Sequence, residues 1–328
     1  MTNDKTYTVL VTGVGAIIGY GLIKSLQASA YSCKVIGIDI FHDAVGQKWA
    51  DTFIQGIRAD DPNFIDFINT IVREEGVDLV IPGIEQDLKA MIEHYDKLDK
   101  RAVYSLNNKA LYKTFDDKKL TYRFLKDTVP LIPYIEYEEN LYDKAVEAFG
   151  LPFVLKQDVS YAGKGVAVIH DAKEYAYYLD KFGTACMAQK KLDTKDKEFT
   201  CAVFGLGDGT FVNPICLQRE LSQEGATKKA RNVPIDATLL DTLTKITRQC
   251  RFEGPTNLQF IAYEGEYLLL EINARVSSST SMRRLFGVNE AEMCIDYYLA
   301  KKTPAKATQR YGTIMRYIED AYFDSDTL

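Results

Sequence analysis

The chain has 328 residues, enough for a large core divided among two or three domains. Hydrophobic and charged fractions of 46% and 26% are ordinary for a globular protein, and 40 basic against 46 acidic side chains leave a formal net charge of -6. That balance argues against a nucleic-acid footprint, no apolar run is long enough to span a bilayer, and the amino-terminal MTNDKTY lacks the cationic-then-apolar pattern of a signal peptide.

In chain order, TVLVTG, GLIKSLQASA, KVIGIDI, FIDFINTIVREEG and VDLVIPG alternate strand-like with helix-like segments. That alternation predicts an α/β, doubly wound parallel sheet over residues 1–107. Lys109 to Leu125 reads as one lysine-rich helix, closed by the prolines of VPLIPY. LPFVLKQD and VAVIHD read as a strand pair around the loop VSYAGKG, followed by the helix EYAYYLDKFG and the strand TACMAQKKL. EFTCAVFG and FVNPICLQRE, joined by the turn LGDGT, predict antiparallel strands. A helix from Ala237 to Cys250 leads to the hairpin LQFIAYEGEYLLLEIN, then to a last helix, NEAEMCIDYYLAKK, and the strand-like GTIMRYIED. No internal repeat and no low-complexity linker interrupts the chain, and soft boundaries near 108 and 190 divide it into residues 1–107, 108–190 and 191–328.

The stretch TVLVTGVGAIIGYG raises the question of a dinucleotide site. Gly13 and Gly15 fit Gly-x-Gly-x-x-Gly, but Ile18 stands at the third position and the glycine comes one residue late, at Gly19. Ala16 spoils the related short-chain reductase spacing, whereas Asp39 is suitably placed for a ribose hydroxyl. Any strand-to-helix turn in such a sheet favours glycine for backbone reasons alone. The six cysteines, Cys33, Cys186, Cys201, Cys216, Cys250 and Cys294, form no Cys-x-x-Cys pair, and only His42, His94 and His170 could join them. They read as reduced core thiols of a cytoplasmic protein rather than metal ligands.

The stronger signal is LQFIAYEGEYLLLEINAR. Glu271 and Asn273 are two apart on a predicted strand, so both point to one face, with Arg275 next in line if the strand continues. A carboxylate beside a carboxamide offers hard oxygen ligands suited to magnesium that also holds phosphate. A two-residue turn at Glu264 and Gly265 would put Gln259 on the opposite face. A three-residue loop, Tyr263 to Gly265, sets it diagonal to Glu271 and gives Gly265 the left-handed position. The expected ligand set is therefore Gln259, Glu271 and Asn273.

The stretch EINARVSSSTSMRRLFGVN resembles the metal-binding end of ATP-grasp enzymes, most closely the synthetase domains of the carbamoyl phosphate synthetase large subunit and their small single-chain relatives. Ala274 stands where that pattern has proline. The resemblance covers nearly the whole chain and implies a pre-ATP-grasp domain followed by a two-part α+β ATP-grasp domain. FDDKKLTYRFLKDTVPLIP is similar to the first lysine motif, with Lys118 on nucleotide phosphate, and LPFVLKQD to the second, with Lys156 on the alpha and beta phosphates. VSYAGKG resembles the glycine-rich lid, so Tyr161, Ala162, Gly163, Lys164 and Gly165 would cover the phosphates, with Ala162 in place of a glycine. ACMAQKKL resembles the adenine hinge, Gln189, Lys190, Lys191 and Leu192, with Lys190 where glutamate is usual, and Glu198 resembles the ribose-binding acid.

What the resemblance implies is ATP as cosubstrate and magnesium as metal, two ions bridged by Glu271, with manganese as an alternative. A carboxylate would attack the gamma phosphate and form an acyl phosphate, which an amine then displaces. Arg275 and Lys156 would stabilise charge on the transferred group, and Arg219, with Lys228 and Arg231, would clamp a carboxylate or acyl phosphate unless these are surface charges. Arg283 and Arg284 are weaker candidates for the same task. The implied partners are a small-molecule carboxylate and amine, with no nucleic acid and no membrane. The sequence does not specify the oligomeric state, a homodimer included. Two other readings remain, an NAD(P)-dependent oxidoreductase using the front glycine loop and a non-catalytic ATP-binding regulator.

Overall fold

The computed structural model describes residues 5–160, 165–195, 197–222 and 227–324. Strands β1 (Tyr7–Thr12), β2 (Cys33–Asp39), β3 (Thr52–Gln55), β4 (Leu79–Ile81) and β5 (Val103–Tyr104) form a parallel sheet in the order β3-β2-β1-β4-β5. These strands read as continuous apolar runs because elements cover both faces of the sheet. On one face Leu10, Ile36 and Val80 pack with Ile68 and Val72 of α2 (Phe64–Glu75) and Met91 of α3 (Glu85–Glu93). On the other, Val9 and Val11 pack with Leu22 and Leu26 of α1 (Ile17–Gln27), in a cluster that also holds Phe204, Ile215, Leu217 and Ile295 from the carboxy-terminal half. The amino-terminal sheet and the later part of the chain thus share one core.

Lys109 to Leu125 is not a single helix. α4 (Tyr112–Asp116) stops at Asp117, which is extended and whose carboxylate accepts the Leu120 N–H at 2.9 Å, starting α5 (Lys118–Leu125) afresh. The break lets Phe115 and Leu125 join the core of the six-stranded sheet below.

Strands β6 (Tyr134–Glu136), β7 (Phe153–Gln157), β8 (Val166–Ile169) and β9 (Cys186–Lys190) make a four-stranded sheet in the order β6-β9-β7-β8, antiparallel throughout, with α6 (Leu141–Phe149) and α7 (Ala172–Phe182) contributing to its core. A six-stranded antiparallel sheet follows: β10 (Glu198–Leu206), β11 (Phe211–Leu221), β12 (Thr227–Val233), β13 (Glu253–Tyr263), β14 (Glu266–Asn273) and β15 (Gly312–Met315), in the order β14-β13-β10-β11-β12-β15. α8 (Ala237–Cys250) covers it with Leu239, Leu243, Ile246 and Cys250, all fully buried at helical spacing, and Asp236 caps its amino end.

Arg219, Lys228 and Arg231, the candidates for clamping a carboxylate or acyl phosphate, lie in the paired strands β11 and β12. NEAEMCIDYYLAKK begins as α10 (Glu290–Cys294) after α9 (Thr280–Leu285), but continues as a widened π turn, Ile295–Leu299, rather than as one α-helix. Among the described residues no helix is long and apolar enough to cross a membrane.

Candidate phosphoryl-transfer site

The β13–β14 hairpin reaches the expected constellation by a different route. Its turn is the two-residue one: Tyr263 pairs with Glu266, and Glu264 and Gly265 both have positive φ, 52° and 85°. Regular pairing from that turn would put Gln259 opposite Leu270. A bulge intervenes, so that Phe260 pairs with Leu269 but Gln259 pairs with Glu271 and Asn257 with Asn273. Gln259, Glu271 and Asn273 therefore share one face, and Gln259 lies directly across from Glu271, not diagonal to it.

The strand ends at Asn273, so Arg275 does not continue the face by alternation. Its backbone N–H returns to the Asn273 carbonyl at 2.7 Å, and its guanidinium donates to Asn273 Oδ1 at 3.2 Å while pairing with Glu85 of α3. On β11, Arg219 pairs with Glu198 and donates from Nη2 to Gln259 Oε1 at 2.6 Å. Both carboxamide oxygens of the expected ligand set thus accept from a guanidinium, with Glu271 between them. One carboxylate and two amide oxygens on a single face are hard donors that fit magnesium. Among the described residues no group of three His, Cys, Asp or Glu side chains could hold a metal ion, whereas this set combines one carboxylate with two carboxamides.

Lys156, at the carboxyl end of β7, is buried. Burial pushes its ammonium down to about 8; the Glu271 charge works against that shift and Lys118 adds to it. Lys118 donates from Nζ to Ser160 O at 3.2 Å and Oγ at 3.1 Å, and its backbone N–H binds Asp158 O at 2.8 Å. Lys119 pairs with Asp158 at 2.7 Å. Tyr161, Ala162, Gly163 and Lys164 lie outside the described residues. Gly165, just beyond them, has φ +74°, and its carbonyl accepts the Gln157 N–H at 2.8 Å, pinning the two ends of the loop together. A narrow cleft lined by Glu85, Tyr112, Lys118, Ser160, Glu271 and Asn273 runs between these elements.

The residues expected to form a hinge divide. Gln189 is buried and donates from Nε2 to Tyr122 OH at 2.7 Å, and that hydroxyl donates to Leu269 O at 2.8 Å, joining the two antiparallel sheets. The Lys190 ammonium stands 5.4 Å from the Tyr263 ring centroid, its backbone N–H binds Pro133 O at 2.9 Å, and Lys191 is exposed. Leu192 packs with Ile132, Ile261 and Leu268 in a small apolar cluster.

Among the remaining basic candidates, Arg283 is a core residue. It is fully buried, pairs with Glu290 and donates to Asn257. Arg231 donates to Gln218 at 2.7 Å from an exposed position, and Lys228 is exposed. Glu85, in the first turn of α3, carries no signal in the sequence, yet it is the partner of Arg275.

The front glycine loop is built differently from a dinucleotide site. Asp39 accepts the Gly15 N–H at 2.7 Å and the Phe41 N–H at 3.1 Å, so a carboxylate takes the donor that a pyrophosphate would use. Asp87 lines the same crevice, pushed up to about 6 chiefly by burial. Gly19 is needed for contact: a Cβ there would lie 2.2 Å from the Gly13 carbonyl oxygen.

Residues 194–321 match the family model described as "ATP-grasp in the biosynthetic pathway with Ter operon", and residues 9–106 match "PylC-like, N-terminal domain". N5-carboxyaminoimidazole synthetase from Staphylococcus aureus, in a structure complexed with ADP, superposes with a TM-score of 0.74 at 19% identity, over 94% of this chain and 81% of that one. The chain has an ATP-grasp fold. Biotin carboxylase from Campylobacter jejuni superposes on this ATP-grasp fold with a TM-score of 0.72 at 15% identity, over 93% of this chain and 74% of that one. The carbamoyl phosphate synthase large chain of Clostridium perfringens is 24% identical over 180 residues, covering 50% of this chain. The match spans only 16% of that curated relative's length.

Proposed function

We propose that this ATP-grasp protein is an ATP-dependent carboxylate–amine ligase. The observation that carries the reading is the convergence of Gln259, Glu271 and Asn273 on one face, with Lys156 close enough for its charge to feel Glu271. Lys118 and Lys156 hold the nucleotide phosphates, and the chain from Gln189 to Leu192 meets adenine through its backbone. Glu198 takes the ribose. Gln259, Glu271 and Asn273 would hold magnesium. Magnesium bound there supplies charge neutralisation to the phosphates.

In the first step a carboxylate oxygen of the substrate bonds to the gamma phosphorus, and the bond from that phosphorus to the bridging oxygen breaks, releasing ADP. Arg275 and Lys156 stabilise the charge on the transferred group. The amine nitrogen then bonds to the acyl carbon, the carbon–oxygen bond to phosphate breaks, and the nitrogen gives up a proton. Arg219 orders the acids and amides of this face by bridging Glu198 and Gln259. Each guanidinium is already paired with a carboxylate, Arg275 with Glu85 and Arg219 with Glu198, so an acyl phosphate would meet the N–H donors those pairs leave free or displace the carboxylate.

The test of the acyl-phosphate step is isotopic. With a carboxylate substrate labelled with oxygen-18, one labelled oxygen per turnover appears in inorganic phosphate. Unlabelled phosphate would contradict the step while leaving ATP binding intact.

A further inference from the structure

Away from that cleft, a cavity of about 710 Å³ opens between the β5 end of the parallel sheet and the start of β13. Glu253 lines it, whereas Gln259 lies six residues further along the same strand, roughly 20 Å at the rise of an extended chain. None of the phosphoryl-transfer residues lines it.

Its walls are aromatic. Tyr104, Tyr297 and Tyr298 line the cavity with their hydroxyls donating to backbone carbonyls, those of Asp99, Leu206 and Glu253 at 3.0, 2.9 and 3.1 Å. With the hydroxyls so held, the rings are fixed. Tyr297 and Tyr298 are consecutive, and both reach the cavity because they sit in the π turn Ile295–Leu299, where successive residues are set closer around the axis than the ~100° of an α-helix.

Its rim is cationic in a chain whose net charge is -6. Lys100 and Lys109 stand 3.4 and 4.3 Å from the centroid of the Tyr95 ring, two ammonium groups on one ring. Lys301 joins them from a left-handed backbone, φ 54°. Among the described residues no carboxylate pairs with any of these three, whereas Lys302 beside them is paired with Asp296 at 3.0 Å. Two acids also line the cavity: Asp208, whose Oδ1 accepts from Thr210 at 2.8 and 2.6 Å, and Glu253.

The backbone around it is unusual as well. Asn107 has φ 55°, held by side-chain bonds to Pro255 O at 3.1 Å and Thr256 Oγ1 at 2.8 Å. Two positive-φ residues other than glycine and a π turn thus surround one cavity. Each costs stability, and such features concentrate where a ligand is bound.

We propose that this cavity is a second binding site, for an anion carried on a planar ring. The ring lies against the tyrosines, the anion meets Lys109 and Lys301, and Glu253 accepts from an N–H or O–H on the ligand. The ligand touches both the amino-terminal sheet and the six-stranded sheet, so its binding tightens their docking. An aryl phosphate and an aryl carboxylate share this chemistry, and calorimetric titration of the full chain with phenyl phosphate and with benzoate distinguishes them.

With magnesium-ADP saturating the nucleotide site, at least one of the two probes binds and raises the melting temperature. Cyclohexyl phosphate or cyclohexanecarboxylate, lacking the planar ring, and inorganic phosphate bind at least about fivefold more weakly. The Lys109→Glu/Lys301→Glu double variant, checked for an unchanged melting temperature without ligand, loses roughly tenfold or more in affinity. Equal binding by the double variant, displacement of the probe by magnesium-ADP, equal affinity for the non-planar analogue, or no binding of either probe would each overturn the proposal.

Discussion

Lys156 shows how a single residue couples fold to chemistry. Its ammonium is held down to about 8 because burial penalises the charge more than Glu271 restores it. Nucleotide phosphates held by Lys156, as proposed, would favour the charged form, so ATP binding is expected to take up a proton as the pH approaches and exceeds 8. Affinity falls as pH rises through that value, by at most about tenfold per pH unit for a single proton. Lys156→Arg, permanently charged, removes that pH dependence whatever it does to absolute affinity. Titrations in buffers of different ionisation enthalpy measure the proton directly, and zero uptake near pH 8.5 in the unmodified chain would refute the linkage. At this scale the sequence displayed Glu271 and Asn273 well, because their spacing of two is local. It did not display Glu85, which meets Arg275 across 190 positions, or the burial of Arg283 of α9, whose Asn257 partner sits on β13. Residue type alone does not tell a guanidinium that will meet substrate from one that will fill a core.

The hairpin β13–β14 depends on compensation within one element. The two-residue turn taken alone would have separated Gln259 from Glu271, and the bulge brings them together again. The sequence indicated a hairpin with Gly265 left-handed, and it is, but Glu264 is left-handed too, a conformation that glutamate adopts at a cost. Bulges are set by packing on both faces of a strand, here Leu269 and Ile272 in the buried core, and no short motif announces them. Glu264→Asn is expected to stabilise the protein by a few tenths to about 1 kcal/mol, and Gly265→Ala to destabilise it by roughly 1–2 kcal/mol. Chemical denaturation with unchanged slope reads both, and a destabilised Glu264→Asn would contradict the turn geometry. At the amino end of α8, Asp236→Ala is expected to cost about 1 kcal/mol by removing the cap to Leu239.

Across the whole molecule, alternating strands and helices made the parallel sheet legible, and turn-punctuated strands did the same for the antiparallel sheets. The sharing of one core between them was not legible, because it joins Val9 and Val11 to Phe204 and Ile295 across most of the chain. The late glycine of the front loop finds its reason here. Gly19 permits close helix–strand contact, while Asp39 consumes the Gly15 N–H that a pyrophosphate would need. Gly19→Ala is therefore expected to destabilise the fold by roughly 1–3 kcal/mol, and NADH to show no saturable binding by fluorescence.

The most direct test of the ligase reading is a screen of carboxylate and amine pairs for magnesium-dependent ADP release, run in parallel on the unmodified chain and on Glu271→Gln, with products identified by mass. With the unmodified chain a pair is expected to release ADP and phosphate and gain an amide, and a Glu271→Gln variant that melts at the same temperature is expected to show no such turnover. Normal turnover by that variant would contradict the ligase reading.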